Sequence, residues 1–136
     1  RQGAISDYDE IIKREKSAKP SVYNMATVYN NKAYCLVELD KPNEALPFVS
    51  KALDLEKSLW YIWDTRGEIY YKLGQYSEAI KDMNKAIEIE EHDNSFYIRG
   101  LARLKLGQNE NGCKDLSKAG ELGEAKAYEA MKQYCK

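Results

Sequence analysis

Small residues recur along this chain at an almost constant separation, and no other feature restricts its fold as strongly. Three series show the recurrence, each spaced by 34 and then by 33 residues: Ala33, Gly67 and Gly100; Ala45, Ala79 and Gly112; Ala52, Ala86 and Ala119. Because every series loses one residue at the same step, a single deletion between Ala86 and Gly100 explains all three. The chain is therefore an array of similar units, which restricts it to repeat architectures.

Each unit reads as two helices joined by a tight turn. In the middle unit, apolar residues recur at steps of three and four over residues 59–73 and again over 79–89. Gly74 lies between the two segments, where glycine readily adopts the left-handed conformation that ends a helix. Gly107 has the same place in the next unit, and Asp40 has it in the unit before. The small residues then lie where the two helices of a unit approach most closely.

This pattern resembles the tetratricopeptide repeat (TPR) family. The landmark residues of the family appear in the middle unit as Trp63, Gly67, Tyr70, Ala79 and Ala86. Two features depart from the family: no proline ends a unit, and Arg103 replaces the core tyrosine in the last unit. The resemblance implies an all-α fold, a right-handed superhelix (solenoid) of stacked helix hairpins with a C-terminal capping helix.

The spacing predicts a single domain over residues 1–136. Its parts are the second helix of an incomplete upstream repeat over 5–19, repeats over 21–57, 58–91 and 93–121, and a capping helix over 123–135. In the capping helix we expect Ala127, Ala130, Met131 and Tyr134 to face the last repeat. The helix over 5–19 lacks its partner, so we expect the natural chain to continue upstream. The apolar stripe left uncovered favours a homodimer through this N-terminal helix.

An arginine and an aspartate are separated by sixteen residues in two of the units. The pairs are Arg66 with Asp82 and Arg99 with Asp115, and the first unit has Lys32 and Phe48 at the same places. Since the first unit lacks both partners together, we predict ion pairs between the two helices of a unit, where partial burial lets them fix orientation. The alternative is solvated charges that repeat by descent.

Charge and cysteine content limit the remaining functions. Lys and Arg number 21 against 22 Asp and Glu, and the net charge of −1 gives no electrostatic basis for binding nucleic acid or an anionic membrane. The longest apolar runs are too short to cross a bilayer. We interpret Cys35, Cys113 and Cys135 as small buried apolar residues, with a Cys113–Cys135 bridge as the alternative. The compartment stays open between cytoplasm and periplasm.

The sequence offers no arrangement of residues suited to catalysis. His92 is the one histidine, so we predict neither a nucleophile with its base nor a zinc site. Gly107 and Gly112 have the spacing of a phosphate-binding loop, but Cys113 and Asp115 stand where that loop needs lysine and Ser/Thr. We therefore expect a protein that is not an enzyme and that uses no metal or other cofactor.

The first helices of stacked repeats line the concave side of such an array, and we place the partner-binding groove there. The predicted groove residues are Asn30, Tyr34, Tyr61, Asp64, Glu68, Tyr71, Tyr97, Leu101 and Leu104, with Thr27, Val37 and Asn94 at equivalent positions. Tyrosine and leucine side chains suit an amphipathic helix or an extended peptide as the ligand.

The resemblance also carries an expectation about the partner. TPR proteins grip the acidic C-terminal tails of heat-shock chaperones with basic residues and asparagines of this face, but here Asp64 and Glu68 would repel such a tail. We predict a non-catalytic protein–protein interaction scaffold for a peptide or helix that is neutral or basic. The alternatives are a structural module that self-associates or spaces other domains, and a regulatory domain of a larger protein.

Overall fold

A computed structural model describes residues 22–135 of the protein, and these residues form seven α-helices without any β-strand. The helices are α1 (Val22–Glu38), α2 (Pro42–Leu55), α3 (Trp60–Lys72), α4 (Tyr76–Ile89), α5 (Asp93–Lys105), α6 (Asn109–Glu121) and α7 (Lys126–Tyr134). The predicted helix over residues 5–19, and with it the predicted dimer contact, lies outside the described residues.

The helices pack as three consecutive hairpins followed by one further helix. Helix α1 packs on α2, α3 on α4 and α5 on α6, and α7 packs on α6. Each first helix also contacts the first helix of the next hairpin, so that α1, α3 and α5 form a continuous layer. The result is an all-α solenoid, the architecture that the repeat predicts.

The turns inside the hairpins depend on a residue with left-handed backbone. In the middle hairpin Gly74 has a φ of 77°, and the N–H of Gln75 donates to the carbonyl of Tyr70 across 2.8 Å. This hydrogen bond belongs to a Schellman motif, which satisfies a carbonyl at the end of the helix. Asp40 takes the equivalent place between α1 and α2 with a φ of 60°, a conformation that glycine adopts more cheaply than aspartate.

The small residues of the repeat lie at the contacts inside the hairpins. Six alanines of the three series are completely buried: Ala33, Ala45, Ala52, Ala79, Ala86 and Ala119. A Cβ atom added to Gly67 would lie 2.8 Å from Cε of Met83, whereas one added to Gly100 would lie 2.9 Å from the carbonyl oxygen of Gly112. Backbone therefore meets backbone where α5 crosses α6, and a side chain on Gly100 has no space there.

Both arginine–aspartate pairs lie where the sixteen-residue spacing predicts them. Arg66 donates to Asp82 through Nε at 2.8 Å and through Nη2 at 2.9 Å. Arg99 donates to Asp115 through the same two atoms, at 2.9 and 2.8 Å. Arg103 adds a hydrogen bond of 2.7 Å to Asp115. The residue that departs from the family pattern thus joins the ion pair of its own hairpin.

The first hairpin uses a different interaction at the same two places. The ammonium nitrogen of Lys32 lies 4.3 Å from the centre of the Phe48 ring. A cation over an aromatic face is attracted by the charge distribution of the ring. The position that carries an ion pair in the later hairpins therefore carries a cation–π contact in this one.

The apolar core has two parts along the solenoid. The first part joins α1, α2 and α3 around the fully buried Val49, Ile62 and Ile69. The second part joins α5, α6 and α7 around Phe96 and Leu116. The last hairpin and the helix that follows it therefore share one core.

A disulfide joins the end of α7 to the first turns of α6. The bond connects Cys113 and Cys135, whose Cα atoms are 5.9 Å apart. Our interpretation of these two cysteines as small apolar residues is therefore wrong, because sequence spacing does not show that the end of α7 returns to α6. Cys35 is unbridged and buried, in agreement with that interpretation.

Helix α7 covers the last hairpin as a capping helix does. Ala127 and Ala130 are buried against it, and Met131 is half-buried. Tyr134, which we expected on the same face, is instead 51% exposed. It lies in the last turn of α7, and its side chain borders surface cavities rather than the shared core.

Candidate peptide-binding groove

The layer of α1, α3 and α5 carries the predicted groove residues, and we call its surface the inner face. It comprises Thr27, Asn30, Tyr34, Tyr61, Asp64, Glu68, Tyr71, Asn94, Tyr97, Leu101 and Leu104. Side-chain hydrogen bonds run from α1 to α3 and from α3 to α5 along this surface. These contacts unite three segments that lie about one repeat apart in the sequence.

At the junction between α1 and α3, most predicted groove residues are used for packing. The hydroxyl groups of Thr27 and Tyr61 lie 2.8 Å apart and form a hydrogen bond. Asn30 is only 5% exposed, and its side-chain oxygen has no hydrogen-bond partner among residues 22–135. Tyr34 is 46% exposed. Val37, predicted at an equivalent position, is 5% exposed and belongs to the apolar core, so the prediction is wrong for it. Of the residues predicted for the groove in the first hairpin, Tyr34 therefore meets solvent most fully.

The junction between α3 and α5 is a network of polar side chains centred on Asp64. The hydroxyl of Ser95 donates to Asp64 across 2.6 Å, and the amide of Asn94 donates to it across 2.8 Å. The same amide donates to Glu68 across 3.0 Å. Asp64 is only 8% exposed. Asp64, which we predicted to repel an acidic tail from the groove, is therefore buried and holds neighbouring hairpins together.

Burial also changes the acidity of the Asp64 carboxyl group. Its pKa is raised to about 6, mainly because burial disfavours the charged form. The hydrogen bonds from Ser95 and Asn94 act in the opposite direction, and the nearby charge of Glu68 raises the pKa further. No basic side chain of residues 22–135 forms an ion pair with this carboxylate, in contrast with Asp82 and Asp115.

The C-terminal part of the inner face surrounds an apolar cavity of about 220 Å³, which we call the groove cavity. It is lined by Tyr71 of α3, Leu101, Leu104 and Lys105 of α5, Asn109 of α6 and Tyr134 of α7. The pKa of Tyr71 is raised, first by burial and then by the nearby hydroxyls of Tyr76, Tyr97 and Tyr134. Three of the predicted groove residues therefore meet around one cavity.

A second cavity of about 380 Å³ lies between α5 and α7. Tyr97 and Leu101 line it together with residues of α7, again including Tyr134. The pKa of Tyr97 is raised by burial and by the nearby charge of Glu124. Tyr134 is absent from the predicted groove residues because it follows the last repeat and has no equivalent earlier in the chain.

The chemical groups of this region are those of a binding surface. Among residues 22–135, no three His, Cys, Asp or Glu side chains lie close enough together to hold a metal ion. The ring of His92 stacks on the ring of Trp60, with ring centres 3.5 Å apart. No helix in the described part of the chain is long and apolar enough to span a membrane. The inner face itself presents aromatic, aliphatic, amide and carboxylate groups, which suit contact with a peptide.

Sequence comparison agrees with this architecture. Models of the tetratricopeptide repeat match residues 26–59 and residues 60–93, which together are half of the 136 residues. The chain belongs to the tetratricopeptide repeat family. TPR domains are generally protein-interaction modules without catalytic activity.

Known TPR proteins resemble the chain in sequence and in fold. A DnaJ homolog subfamily C member 7 homolog from Schizosaccharomyces pombe is 31% identical over 92 residues, which are 68% of this chain and 19% of that protein. The first TPR of Spaghetti (RPAP3), solved with the HSP90 peptide SRMEEVD, has a TM-score of 0.77 at 23% identity and covers 82% of this chain and 91% of its own. YrrB, described as a TPR protein with an unusual peptide-binding site, has a TM-score of 0.73 at 28% identity over 85% of this chain and 57% of its own. The chain spans less than a fifth of the length of the curated relatives it matches.

Proposed function

We propose that this TPR chain is a protein-interaction scaffold whose inner face binds a peptide or helical segment of a partner protein. The groove cavity carries this proposal, because Tyr71, Leu101 and Leu104 converge on it from two neighbouring first helices. Half-buried aromatic and aliphatic side chains around a concave site are typical anchors for a ligand. The peptide bound by the first TPR of Spaghetti and the peptide-binding site described for YrrB support the same use of the fold.

We further propose that the bound segment is neutral or basic. The residues that define the inner face include two acids, the buried Asp64 and the half-buried Glu68, and no lysine or arginine, whereas Lys105 and Lys126 line the cavities at its C-terminal end. Glu68 is half-buried and accepts a hydrogen bond from a neutral amide, so a basic group of the partner would meet a carboxylate without a cation of its own. An acidic segment would meet repulsion at the same place. The peptide SRMEEVD of the Spaghetti complex is thus a poor candidate for this chain.

The groove is tested by selecting peptides from a random library displayed on phage. We expect the wild-type chain to enrich a set of related peptides and the Tyr71→Ala/Tyr97→Ala variant to bind synthetic copies of them roughly 10- to 100-fold more weakly, as loss of interface anchors does. Tyr128→Ala is the matched control, since Tyr128 is an exposed tyrosine of α7 that lines neither the groove cavity nor the cavity between α5 and α7. Circular dichroism checks that each variant is folded. Equal binding by the wild type and the double variant would exclude the groove.

The charge preference needs a separate measurement with defined peptides. Fluorescence anisotropy would compare SRMEEVD with a version in which lysine replaces each acidic residue. We expect tighter binding of the lysine version, a difference that shrinks as salt screens the charges. Tighter binding of the acidic peptide would contradict the charge preference while leaving the groove itself intact.

The self-association alternative depends on the apolar stripe of residues 5–19. Those residues lie outside the described part of the chain, so the groove is the better-supported site.

A further inference from the structure

One aromatic side chain outside the repeats borders three cavities at the C-terminal end of the solenoid. Tyr134 lines the groove cavity, the 380 Å³ cavity between α5 and α7, and an open cavity of about 550 Å³ beside the disulfide. About half of its side chain is exposed. A rigid aromatic ring at such a position is the kind of residue that dominates peptide-binding surfaces.

We propose that Tyr134 is a partner-binding residue that turns the groove cavity into a pocket for one large apolar side chain, and that the disulfide positions it. The inference rests on the proposed function of the inner face. The partner then supplies a large apolar side chain as its anchor, and part of the binding site lies outside the repeats.

The size and lining of the groove cavity indicate what it holds. Its volume of about 220 Å³ is below the range of roughly 300–1,000 Å³ typical of pockets for small molecules, but it suits a leucine or phenylalanine side chain. Tyr71, Leu101 and Leu104 form its apolar walls on the side of the repeats, and Tyr134 forms the wall on the side of α7. An apolar side chain of the partner that enters between these walls is removed from water, and this burial stabilises the complex.

The disulfide explains why Tyr134 can act as a wall although it lies at the end of a short helix. Residues at the end of a helix are usually poorly fixed unless other contacts hold them. Cys135, the next residue, is bonded to Cys113 of α6, so the backbone beside Tyr134 cannot move away from the last hairpin. Tyr128 earlier in α7 has another role, because its ring packs directly over Gly120.

One charged residue that lines the groove cavity and one that lies near it orient the segment that enters it. Lys105 lines the cavity on the α5 side, while Glu68 lies outside its lining, one helical turn before Tyr71 on α3. A basic residue of the partner is therefore attracted on the side of Glu68 and repelled on the side of Lys105. The partner segment that fits has one large apolar residue with a lysine or arginine close to it on a single side.

The test uses the same random-peptide library, selected in parallel on the wild type, Tyr134→Ala and Tyr128→Ala. We expect wild type and Tyr128→Ala to enrich peptides with a large apolar residue next to a basic one. Synthetic copies should bind Tyr134→Ala roughly 10- to 100-fold more weakly, and replacing their apolar residue by alanine should then cause little further loss, because that residue has lost its pocket.

The outcomes separate this inference from the proposed function. If the peptides bind Tyr134→Ala as well as they bind the wild type, but are lost with Tyr71→Ala/Tyr97→Ala, the groove stands and the role of Tyr134 is overturned. If the wild type enriches no peptide, the proposed function itself fails. Enriched peptides without a shared large apolar residue would overturn the anchor pocket.

The positioning role of the disulfide has its own variant. Cys113→Ser/Cys135→Ser should weaken binding of the selected peptides several-fold in a wild-type background, and should change it little in the Tyr134→Ala background. An equal effect in both backgrounds would mean that the bridge acts on general stability rather than on Tyr134.

Discussion

Contacts within the hairpins and contacts between them are built in different ways. Inside α3–α4 and α5–α6, an arginine of the first helix binds an aspartate of the second, sixteen residues later, at Arg66–Asp82 and Arg99–Asp115. Between α1 and α3 the side-chain hydrogen bond joins two hydroxyl groups, and between α3 and α5 the side-chain hydrogen bonds end on the carboxylates of Asp64 and Glu68.

Contacts inside the hairpins define the repeat unit, whereas contacts between hairpins distinguish this array from others built of the same unit. Each hairpin packs two helices against each other in the same way, so the residues that allow this packing recur along the sequence. A junction is exposed to the groove on one side, and its residues are therefore free to differ from unit to unit. The inner face draws its individual chemistry from these junctions.

The largest effect is expected from breaking an ion pair inside a hairpin. Asp115→Ala removes the carboxylate that accepts from both Arg99 and Arg103, whose side chains are 15% and 21% exposed, and leaves Arg99 only its hydrogen bond to the side-chain oxygen of Asn84. Loss of one partner of a buried pair costs about 3–5 kcal/mol. The free energy of unfolding, measured by urea denaturation, should fall by that amount.

Asp82→Ala serves as the comparison for this variant. In this variant one arginine, Arg66, loses its ion-pair partner, and its side chain is 24% exposed. We therefore expect the free energy of unfolding to fall by less than in Asp115→Ala. A larger loss for Asp82→Ala than for Asp115→Ala would show that the second arginine adds nothing to the last hairpin.

The pH dependence of stability tests the junction between α3 and α5. Because the folded-state pKa of Asp64 is raised from 3.8 to about 6, the folded state binds the proton more tightly than the unfolded state. Its contribution to stability is present below about pH 4 and is lost as pH rises to about 6, a change of about 3 kcal/mol at 1.36 kcal/mol per pKa unit. Urea denaturation across this range measures it.

Asp64→Asn isolates the contribution of this one group. The asparagine keeps an oxygen that can accept from Ser95 but does not titrate, so the difference between wild type and variant should follow the pKa of Asp64. If wild type instead gained stability relative to the variant as pH rose, the hydrogen bonds from Ser95 and Asn94 would outweigh the cost of burial.

A smaller effect is expected at the helix crossings. In Gly100→Ala the new methyl group would meet the carbonyl oxygen of Gly112 at 2.9 Å, so the backbones must separate. Overpacking of this kind costs about 1–3 kcal/mol, partly offset by the better helix propensity of alanine. Gly67→Ala meets the side chain of Met83, from Cε at 2.8 Å to Cγ at 3.2 Å, rather than backbone, and should cost less. Thermal unfolding of both variants would show this order, and equal shifts would mean that the two crossings are equally tight.

The smallest effect is expected at the junction between α1 and α3. Tyr61→Phe removes one hydrogen bond to Thr27 and no apolar surface. The expected loss is about 0.5–1 kcal/mol, since the half-buried Thr27 hydroxyl can still bind water. Tyr97→Phe, at a position where no side-chain hydrogen bond ties the hydroxyl to α3, should lose less in the same urea experiment. Equal losses of unfolding free energy in the two variants would show that the hydrogen bond between Thr27 and Tyr61 does not stabilise the junction between α1 and α3.

The hairpins could be predicted from the sequence because their requirements recur. The close contact at Gly67 needs a small residue again at Gly100, and the turn at Gly74 needs left-handed backbone again at Gly107. The Arg–Asp pairs became visible for the same reason, since the first hairpin lacks both partners at once. Repetition thus provides an internal comparison within a single sequence.

The groove could be predicted only in part. The periodicity places Asp64 on the inner face, but its burial depends on Ser95 of the next hairpin, and that pairing occurs once. Tyr134 and the Cys113–Cys135 bridge lie partly or wholly beyond the last repeat, where no second copy reveals their role. Such features depend on how the chain returns on itself, which spacing alone does not specify.

The disulfide also determines how the molecule transmits tension. A pull on the C-terminus reaches Cys135 and passes through the sulfur atoms directly to Cys113, near the start of α6. Helix α7 and most of α6 therefore carry no load. The force arrives two residues from Asp115, which is tied to α5 by Arg99 and Arg103. Stretching therefore separates α5 from α6, while the disulfide keeps the load off the capping helix.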